Sequence, residues 1–412
     1  MIDIVLCASG ADEVRLVHEL SRLPGGRARV VRRCADLAET RGAVEAGIGD
    51  AVVIDLTVRG FDRDVAAELL RAGAALVGLR TDSAALGRTD LGLRHVVDAS
   101  APVEEILDAV EDALGDDDDV DVWTQDAPAL AQTAQAAPSR MVVVWGPHGA
   151  PGRSTVAANL AAEAAAAGCE TVLVDADTYA PSLAQVLGVL EEAPGLVAAC
   201  RASARDALDD ATLEALLPAL GPRLRLLTGI GVAGRWAEVR SSGLDGVWAG
   251  LRRRGGLIVV DVAANLEEDE ELTYDTSAPQ RNAATLSALQ HADAVIAVVD
   301  AEPVGITRLI RERERLAELG VEDLHVVLNR TTALVAPQRL EQLITGRMEL
   351  AALDALPEDA VACRRAAWDG TLLAEGAPRS ALRRRLAEIA VSGRVLGLLA
   401  PVAAGADGRM VP

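Results

Sequence analysis

The feature that most restricts the fold of this chain is an alternation of short apolar runs with stretches of helical spacing. Over residues 1–114 the runs IDIVLCA, ARVVRR, DAVVIDL, AALVGLR and RHVVDA are interleaved with ADEVRLVHELSRL, DVAAELLRAG and PVEEILDAVEDAL. Strands joined through helices cannot form hairpins, so they must lie parallel with the helices covering both faces of the sheet. The alternation resumes at Met141 with RMVVVWG, the helical STVAANLAAEAAAAG ending at Gly168, and then ETVLVDAD, RLRLLTGI, GLIVVDVA, ADAVIAVVD and LHVVLNR. Runs this rich in β-branched residues suit strands buried on both faces of a parallel sheet.

Between the two halves lies GDDDDVDVWTQDAPALAQTAQAAPSR, acidic and then rich in Ala, Gln and Pro, with no apolar period. It reads as a linker. The expected organisation is therefore α/β: a first domain at 1–114, a linker at 115–140, a second, mostly parallel-sheet domain at 141–400 and a flexible tail at 401–412.

Composition bears on what such a chain can bind. The net charge is −22, which disfavours phosphate backbones and so a nucleic-acid partner. All 40 basic residues are Arg, as GC-rich codon usage would produce. The five cysteines are scattered with no CxxC pair, so reduced core residues are expected, with neither a disulfide framework nor a zinc site. The opening MIDIVLCASGADEV begins a strand directly, without a basic-then-apolar leader, and no apolar run reaches 18 residues. A cytoplasmic protein is expected.

The strand–loop–helix at VVVWGPHGAPGRST is the strongest local motif. A phosphate-binding loop reads GxxxxGK[ST], its backbone N–H groups cradling phosphates, its Lys reaching the outer ones and its hydroxyl holding Mg²⁺. Here the frame runs Pro147, His148, Gly149, Ala150, Pro151, Gly152, Arg153, Ser154, followed by Thr155. The last Gly and the hydroxyl fit; Arg153 stands where Lys is usual. Two strand-end acidic sites follow, Asp175 and Asp177 in VLVDAD and Asp261 in VVDVA. At the carboxyl edge of a parallel sheet such acids face the ligand crevice, where one can hold Mg²⁺ and another orient an attacking water, although a lone strand-end Asp is as often a helix cap.

In this order the loop, DxD and hhhhD motifs resemble the MinD/ParA group of P-loop ATPases over residues 141–400. HGAPGRST is similar to that group's deviant loop, with His148 at its signature lysine and Arg153 at its phosphate lysine. The resemblance implies ATP or ADP with Mg²⁺ as cofactors. It implies that Gly149 to Thr155 hold phosphates, that Ser154, Asp175 and Asp261 serve the metal, and that Asp177 positions the hydrolytic water. Asn329 in VVLNR would face adenine, and Pro357 in LPEDAVA would pack near it. It also implies a nucleotide-dependent homodimer.

A receiver-like, flavodoxin-like domain ahead of such an ATPase resembles the CpaE/TadZ branch associated with Tad (Flp) pilus systems, and a related actinobacterial branch of septum-site-determining proteins. Partners would then be a secretion or pilus ATPase, or division proteins, at a pole, septum or inner membrane face. Asp55 stands where a receiver's phosphoacceptor would be. Cys7 and Ala8 occupy the positions of the metal-binding acidic pair, and VVDASAP lacks the expected lysine. Without metal ligands phosphoryl charge is not neutralised, so a pseudoreceiver for docking is expected.

Arg is a planar fork where Lys is a compact charge, so Arg153 should keep binding better than catalysis. A misplaced transition-state charge removes roughly 10²–10³ in rate. His148 is shorter than the lysine it replaces and should weaken pairing across a dimer. ATP binding with slow hydrolysis is expected, and the alternative is a nucleotide-independent adaptor. Arg281 and Asn282 are candidate nucleotide sensors, with helix capping an equal explanation for Asn282. The amphipathic SALRRRLAEIAVSGRVLGLLAPV allows at most peripheral membrane contact, and lacking aromatics it fits ordinary packing better. His18, His95, His291 and His325 are isolated and expected to be structural.

Overall fold

The computed structural model describes residues 1–8, 10–20, 22, 26–81, 91, 93–115, 138–189, 193–267 and 279–399. Most of the expected linker, the tail from 400 and the segment 268–278 lie outside the described residues. The chain divides into two compact units, one holding the N-terminal residues and the other beginning at Ala136.

In the first unit the strands are β1 (Ile2–Cys7), β2 (Ala28–Arg33), β3 (Ala51–Asp55), β4 (Ala75–Arg80) and β5 (Val96–Asp98). The helices are α1 (Gly10–Leu20), α2 (Leu37–Glu45), α3 (Arg63–Arg71) and α4 (Val103–Gly115). All pairings are parallel, in the order β2-β1-β3-β4-β5. The period of two in β1 divides its side chains between two cores. Ile4 and Leu6 pack with Leu16, Ile106 and Leu107, while Val5 and Cys7 pack with Ala43, Val65 and Leu69. Asp36 and Asp62 start α2 and α3 by accepting from Glu39 N and Val65 N at 2.9 and 3.0 Å.

The second unit has seven parallel strands in the order β12-β11-β10-β6-β9-β7-β8. They are β6 (Ser139–Trp145), β7 (Thr171–Ala176), β8 (Leu224–Leu227), β9 (Gly256–Val262), β10 (Ala294–Asp300), β11 (Leu324–Thr331) and β12 (Ala352–Pro357). The helices used below are α5 (Arg153–Ala166), α6 (Leu183–Val186), α7 (Gly195–Ser203), α8 (Asp210–Ala215), α9 (Ser241–Arg254), α10 (Ala283–Gln290), α11 (Pro303–Glu318), α12 (Pro337–Thr345), α13 (Ala360–Asp369), α14 (Leu373–Gly376) and α15 (Ala381–Ala390). Met141, Val143 and Trp145 of β6 face one core with Leu244, Trp248 and Leu309, and Val142 and Val144 face the other with Val156 and Leu160. Burying each such Val or Leu contributes about 1.5–3 kcal/mol.

One strand, β12, is not among the runs read from the sequence. The segment LPEDAVA begins in that strand, since Pro357 closes β12. This edge strand is mostly half-buried and built from Ala, Leu and Asp, so it carries little β propensity to read. The C-terminal amphipathic stretch is α15, with Leu382, Leu386, Ile389 and Ala390 buried in the core that contains α5. Its apolar face is covered by protein. No described helix is long and apolar enough to cross a membrane. An ion pair fixes α15 to α5: Arg383 Nε and Nη2 donate to the two oxygens of the buried Glu163 at 2.7 and 3.2 Å.

Candidate functional site

The turn after β6 takes its shape from two glycines. Gly149 and Gly152 adopt φ of 72° and 91°, in the left-handed region that other residues rarely enter. A Cβ at Gly149 would collide with the Arg308 guanidinium, and one at Gly152 with the Asn329 amide. Between them Ala150 N donates to Pro147 O at 3.0 Å. Gly152 is the N-cap of α5 and offers no side chain to the first-turn amides of Arg153, Ser154 and Thr155. Those donors, with the positive end of the helix dipole, form a cradle for an anion.

Arg153 is held within the loop. Its Nη1 donates to Gly146 O at 3.1 Å and its Nη2 lies 3.6 Å from Asp177 Oδ2. Asp177 Oδ1 accepts from Tyr179 N and Ala180 N at 2.8 and 2.9 Å, an Asx turn that fixes the start of the β7–α6 connection. His148 is exposed, and its carbonyl accepts from Arg308 Nη1 of α11 at 2.7 Å.

The carboxyl ends of β6, β9 and β7 stand side by side, with Asp175 paired in register with Asp261. The two acids are held differently. Asp175 accepts from Ser182 N and Leu183 N at 3.0 Å each and from Asp177 N at 3.3 Å, so it caps the short α6. Burial nonetheless pushes its pKa up to about 6, against the lowering effect of those amides. Asp261 is fully buried, and neither carboxylate oxygen has a hydrogen-bond partner among the described residues. Burial, then the charge of Asp175, raises its pKa well above the ordinary value; the nearby Ser154 hydroxyl acts the other way but is not within hydrogen-bonding geometry. A buried carboxylate without partners is a strongly unfavourable arrangement unless a cation meets it. No group of three or more His, Cys, Asp or Glu able to hold a metal unaided occurs among the described residues. One carboxylate and one hydroxyl suit Mg²⁺, which takes few protein ligands and completes its shell with water and phosphate.

A cleft of about 250 Å³ adjoins the loop, lined by Pro151, Gly152, Thr155, Asn329, Pro357 and Cys363 among others. The structure thus brings Asn329 and Pro357 to the loop, although they are far apart in sequence. A register shift in β11 between Leu328 and Thr331, with Arg330 at φ 59°, interrupts the regular strand at this point. The Asn329 Nδ2 donates to Pro151 O at 2.8 Å, so this side chain bonds the loop itself. Arg330 and Glu358 pair at 3.3 Å beside the cleft.

Arg281 and Asn282 form a clamp. Both Arg281 Nη atoms donate to Thr178 O at 3.0 Å, and its guanidinium stacks 3.8 Å over the Tyr179 ring and 5.2 Å from that of Trp236. Tyr179 OH donates to Asn282 Oδ1 at 2.9 Å, and Asn282 Nδ2 donates to Glu267 O at 2.7 Å. Asn282 makes no side-chain cap to α10, so the capping explanation does not describe it. Of the histidines, His325 is buried with Nε2 2.7 Å from Asp354 Oδ2. Sequence reasoning missed Arg308, Tyr179 and Trp236, which belong to no motif and reach the site only through folding.

A ParA family model, described as a NUBPL iron-transfer P-loop NTPase, matches residues 138–204, the segment that carries the loop and the DxD acids. Among solved structures, a ParA family ATPase from Chlorobium tepidum superposes with a TM-score of 0.52 at 19% identity, over 61% of this chain and 98% of that one. The second unit has the fold of the MinD/ParA-type P-loop NTPases. The septum site-determining protein MinD of Pyrococcus horikoshii, solved in complex with Mg-ADP, gives a TM-score of 0.50 at 21% identity over 61% of this chain and 95% of that one. No characterised protein matches the chain by sequence. In this MinD/ParA-type unit the loop, the strand-end acids and the cleft form one continuous site at the carboxyl edge of the sheet.

Proposed function

We propose that the chain is a MinD-like nucleotide-binding spatial regulator that binds ATP or ADP with Mg²⁺ and hydrolyses ATP slowly. Its role is to position a cell-pole or envelope machine, a Tad (Flp) pilus-type secretion assembly or the division septum. The observation that carries this is the buried, partnerless Asp261 beside Ser154 at the foot of a loop with two left-handed glycines. The amides of the loop and of the first turn of α5 would receive the phosphates, and Ser154 and Asp261 would hold the metal. Asp175, already bonded to three amides, shapes the floor beside them. Bound Mg²⁺ supplies positive charge against the phosphoryl oxygens. Asn329 and Pro357 flank the base, and Asp177, once Arg153 turns to phosphate, is free to orient a water.

The septum site-determining and ParA-family neighbours support a positioning role, and the neighbour solved with Mg-ADP supports the cofactor. The flavodoxin-like strand order 2-1-3-4-5 of the first unit, with Asp55 at the end of β3, supports a pseudoreceiver used for docking. The reading is of a cytoplasmic protein, with membrane association at most peripheral, acting as a nucleotide-dependent homodimer with secretion or division proteins as partners.

The Arg153–Asp177 contact favours a second reading, a nucleotide-independent adaptor with a degenerate site, because each group is engaged with the other. Calorimetry with Mg²⁺ and ATP, together with turnover of the wild type, Arg153→Ala and Asp177→Ala, separates the two. The nucleotide reading expects measurable affinity, slow wild-type turnover, and a further drop in both variants of roughly 10²-fold. Equal, near-zero rates in all three proteins would favour the adaptor, and absence of binding would end the nucleotide reading.

A further inference from the structure

We infer that Arg308 binds the outermost phosphate of a nucleoside triphosphate and thereby makes this site prefer triphosphate to diphosphate. The inference rests on the nucleotide reading above and adds a cation that no loop motif contains.

The direction of the phosphate chain follows from the two ends of the loop. The cleft that would take the base is lined by Pro151, Gly152 and Thr155, together with Asn329 and Pro357. His148 and Gly149 belong to the other end of the loop and are exposed. A nucleotide with its base in the cleft and its inner phosphates over the α5 amides therefore runs its last phosphate toward His148 and Gly149. Arg308 is there. Its Nη1 donates to His148 O at 2.7 Å, and it occupies the space a side chain at residue 149 would fill. Gly149 thus serves two needs: a left-handed φ of 72° and room for a guanidinium.

The two arginines approach the loop from opposite sides of β6, as the strand order β10-β6-β9-β7 dictates. Arg153 turns toward the end of β7, where Asp177 carries a negative charge. Arg308 comes from α11, which follows β10, and its partner is a neutral carbonyl. A carbonyl holds a guanidinium less firmly than a carboxylate does. It also leaves the fork of five N–H donors with capacity for phosphate oxygens. The same contact covers the His148 carbonyl, whose lone pairs would otherwise repel an incoming phosphate. The buried neighbours Ile306 and Leu309 anchor α11 in the core, so the exposed Arg308 is presented from a fixed element.

The test is calorimetry on the full chain with Mg²⁺, using ADP and a non-hydrolysable ATP analogue, for the wild type, Arg308→Ala and Arg308→Lys. Arg308→Ala is expected to lower triphosphate affinity by about 10- to 100-fold, the range of a charge-assisted contact, with little change for ADP. Arg308→Lys should recover part of the loss. Because Arg308 is exposed, melting temperatures without nucleotide should agree among the three proteins. An equal loss for ADP and the triphosphate, or no loss for either, overturns the inference while leaving the site intact. A wild type that binds neither ligand overturns the site itself.

Discussion

The two sheets each bring an aspartate to their carboxyl edge, Asp55 on β3 and Asp261 on β9, and their surroundings are opposite. Asp55 is buried, yet its Oδ1 accepts from Thr57 N at 2.8 Å, Thr57 Oγ1 at 2.8 Å and Thr81 Oγ1 at 3.0 Å. Asp261 is buried just as deeply and accepts from nothing among the described residues. The neighbours differ as well. Asp55 has threonine hydroxyls already donating to it and, at the end of β1, Cys7, with Ala8 after it, where no second carboxylate stands. Asp261 has a second carboxylate in register with it and the first turn of α5 close by. The same residue type at the same topological place is a satisfied structural group in one unit and an unsatisfied one in the other. What separates a structural acid from one suited to a cation here is the hydrogen-bond census around it.

The comparison can be broken most severely at Asp261. Asp261→Asn removes the charge and keeps the shape. In the wild type, saturating Mg-nucleotide should raise stability by about 2.7 kcal/mol at a hundred times Kd. In the variant that Mg²⁺-dependent gain should vanish while the ligand-free protein becomes no less stable. Thermal melts with and without Mg²⁺ check this, and a variant that keeps the full gain would mean the metal is held elsewhere. A smaller effect is expected at Asp55. Asp55→Ala strands one backbone N–H and two hydroxyls and should cost about 1–3 kcal/mol in a denaturant titration. The wild type should take no phosphoryl group from acetyl phosphate, as read by intact mass; a phosphorylated Asp55 would make the first unit a working receiver.

A third test concerns pH. With its pKa pushed up to about 6 by burial, Asp175 keeps its proton in the folded chain over a range where the unfolded chain, at 3.8, has lost it. The folded state then binds more protons, so without nucleotide or metal its stability should be greatest below about pH 4 and decline up to about pH 6. Denaturation midpoints across that window should show the decline, and Asp175→Asn should lessen it, leaving the part that the buried Asp261 contributes. An unchanged slope in the variant would assign the dependence to other groups.

Much of this architecture was written in the alternation of apolar runs. The runs IDIVLCA, DAVVIDL, RMVVVWG and GLIVVDVA became β1, β3, β6 and β9 because a strand buried on both faces leaves an unbroken apolar signature. β12 escaped because a half-buried edge strand of Ala, Leu and Asp has neither that signature nor a clean alternation. The same divide runs through the site. The loop, the DxD acids and Asp261 were legible, since each is local in sequence. Arg308, Tyr179 and Trp236 were not: their roles depend on contacts spanning 160 residues in the case of Arg308 and His148. Nor could spacing reveal that Asp175 would be capped by amides while Asp261 would not.

The ion pair between Glu163 and Arg383 extends the site's foundations well beyond its motifs. α5 carries the phosphate cradle at its first turn and Glu163 three turns later, and that carboxylate is neutralised from α15. Shortening the chain ahead of Arg383 would therefore strand a charge inside the helix that anchors the loop, a defect added to the loss of Leu386 from the lining of the cleft. Helix α15 behaves as a counterweight to the loop, and the smallest piece of this chain that keeps the proposed nucleotide site must include it.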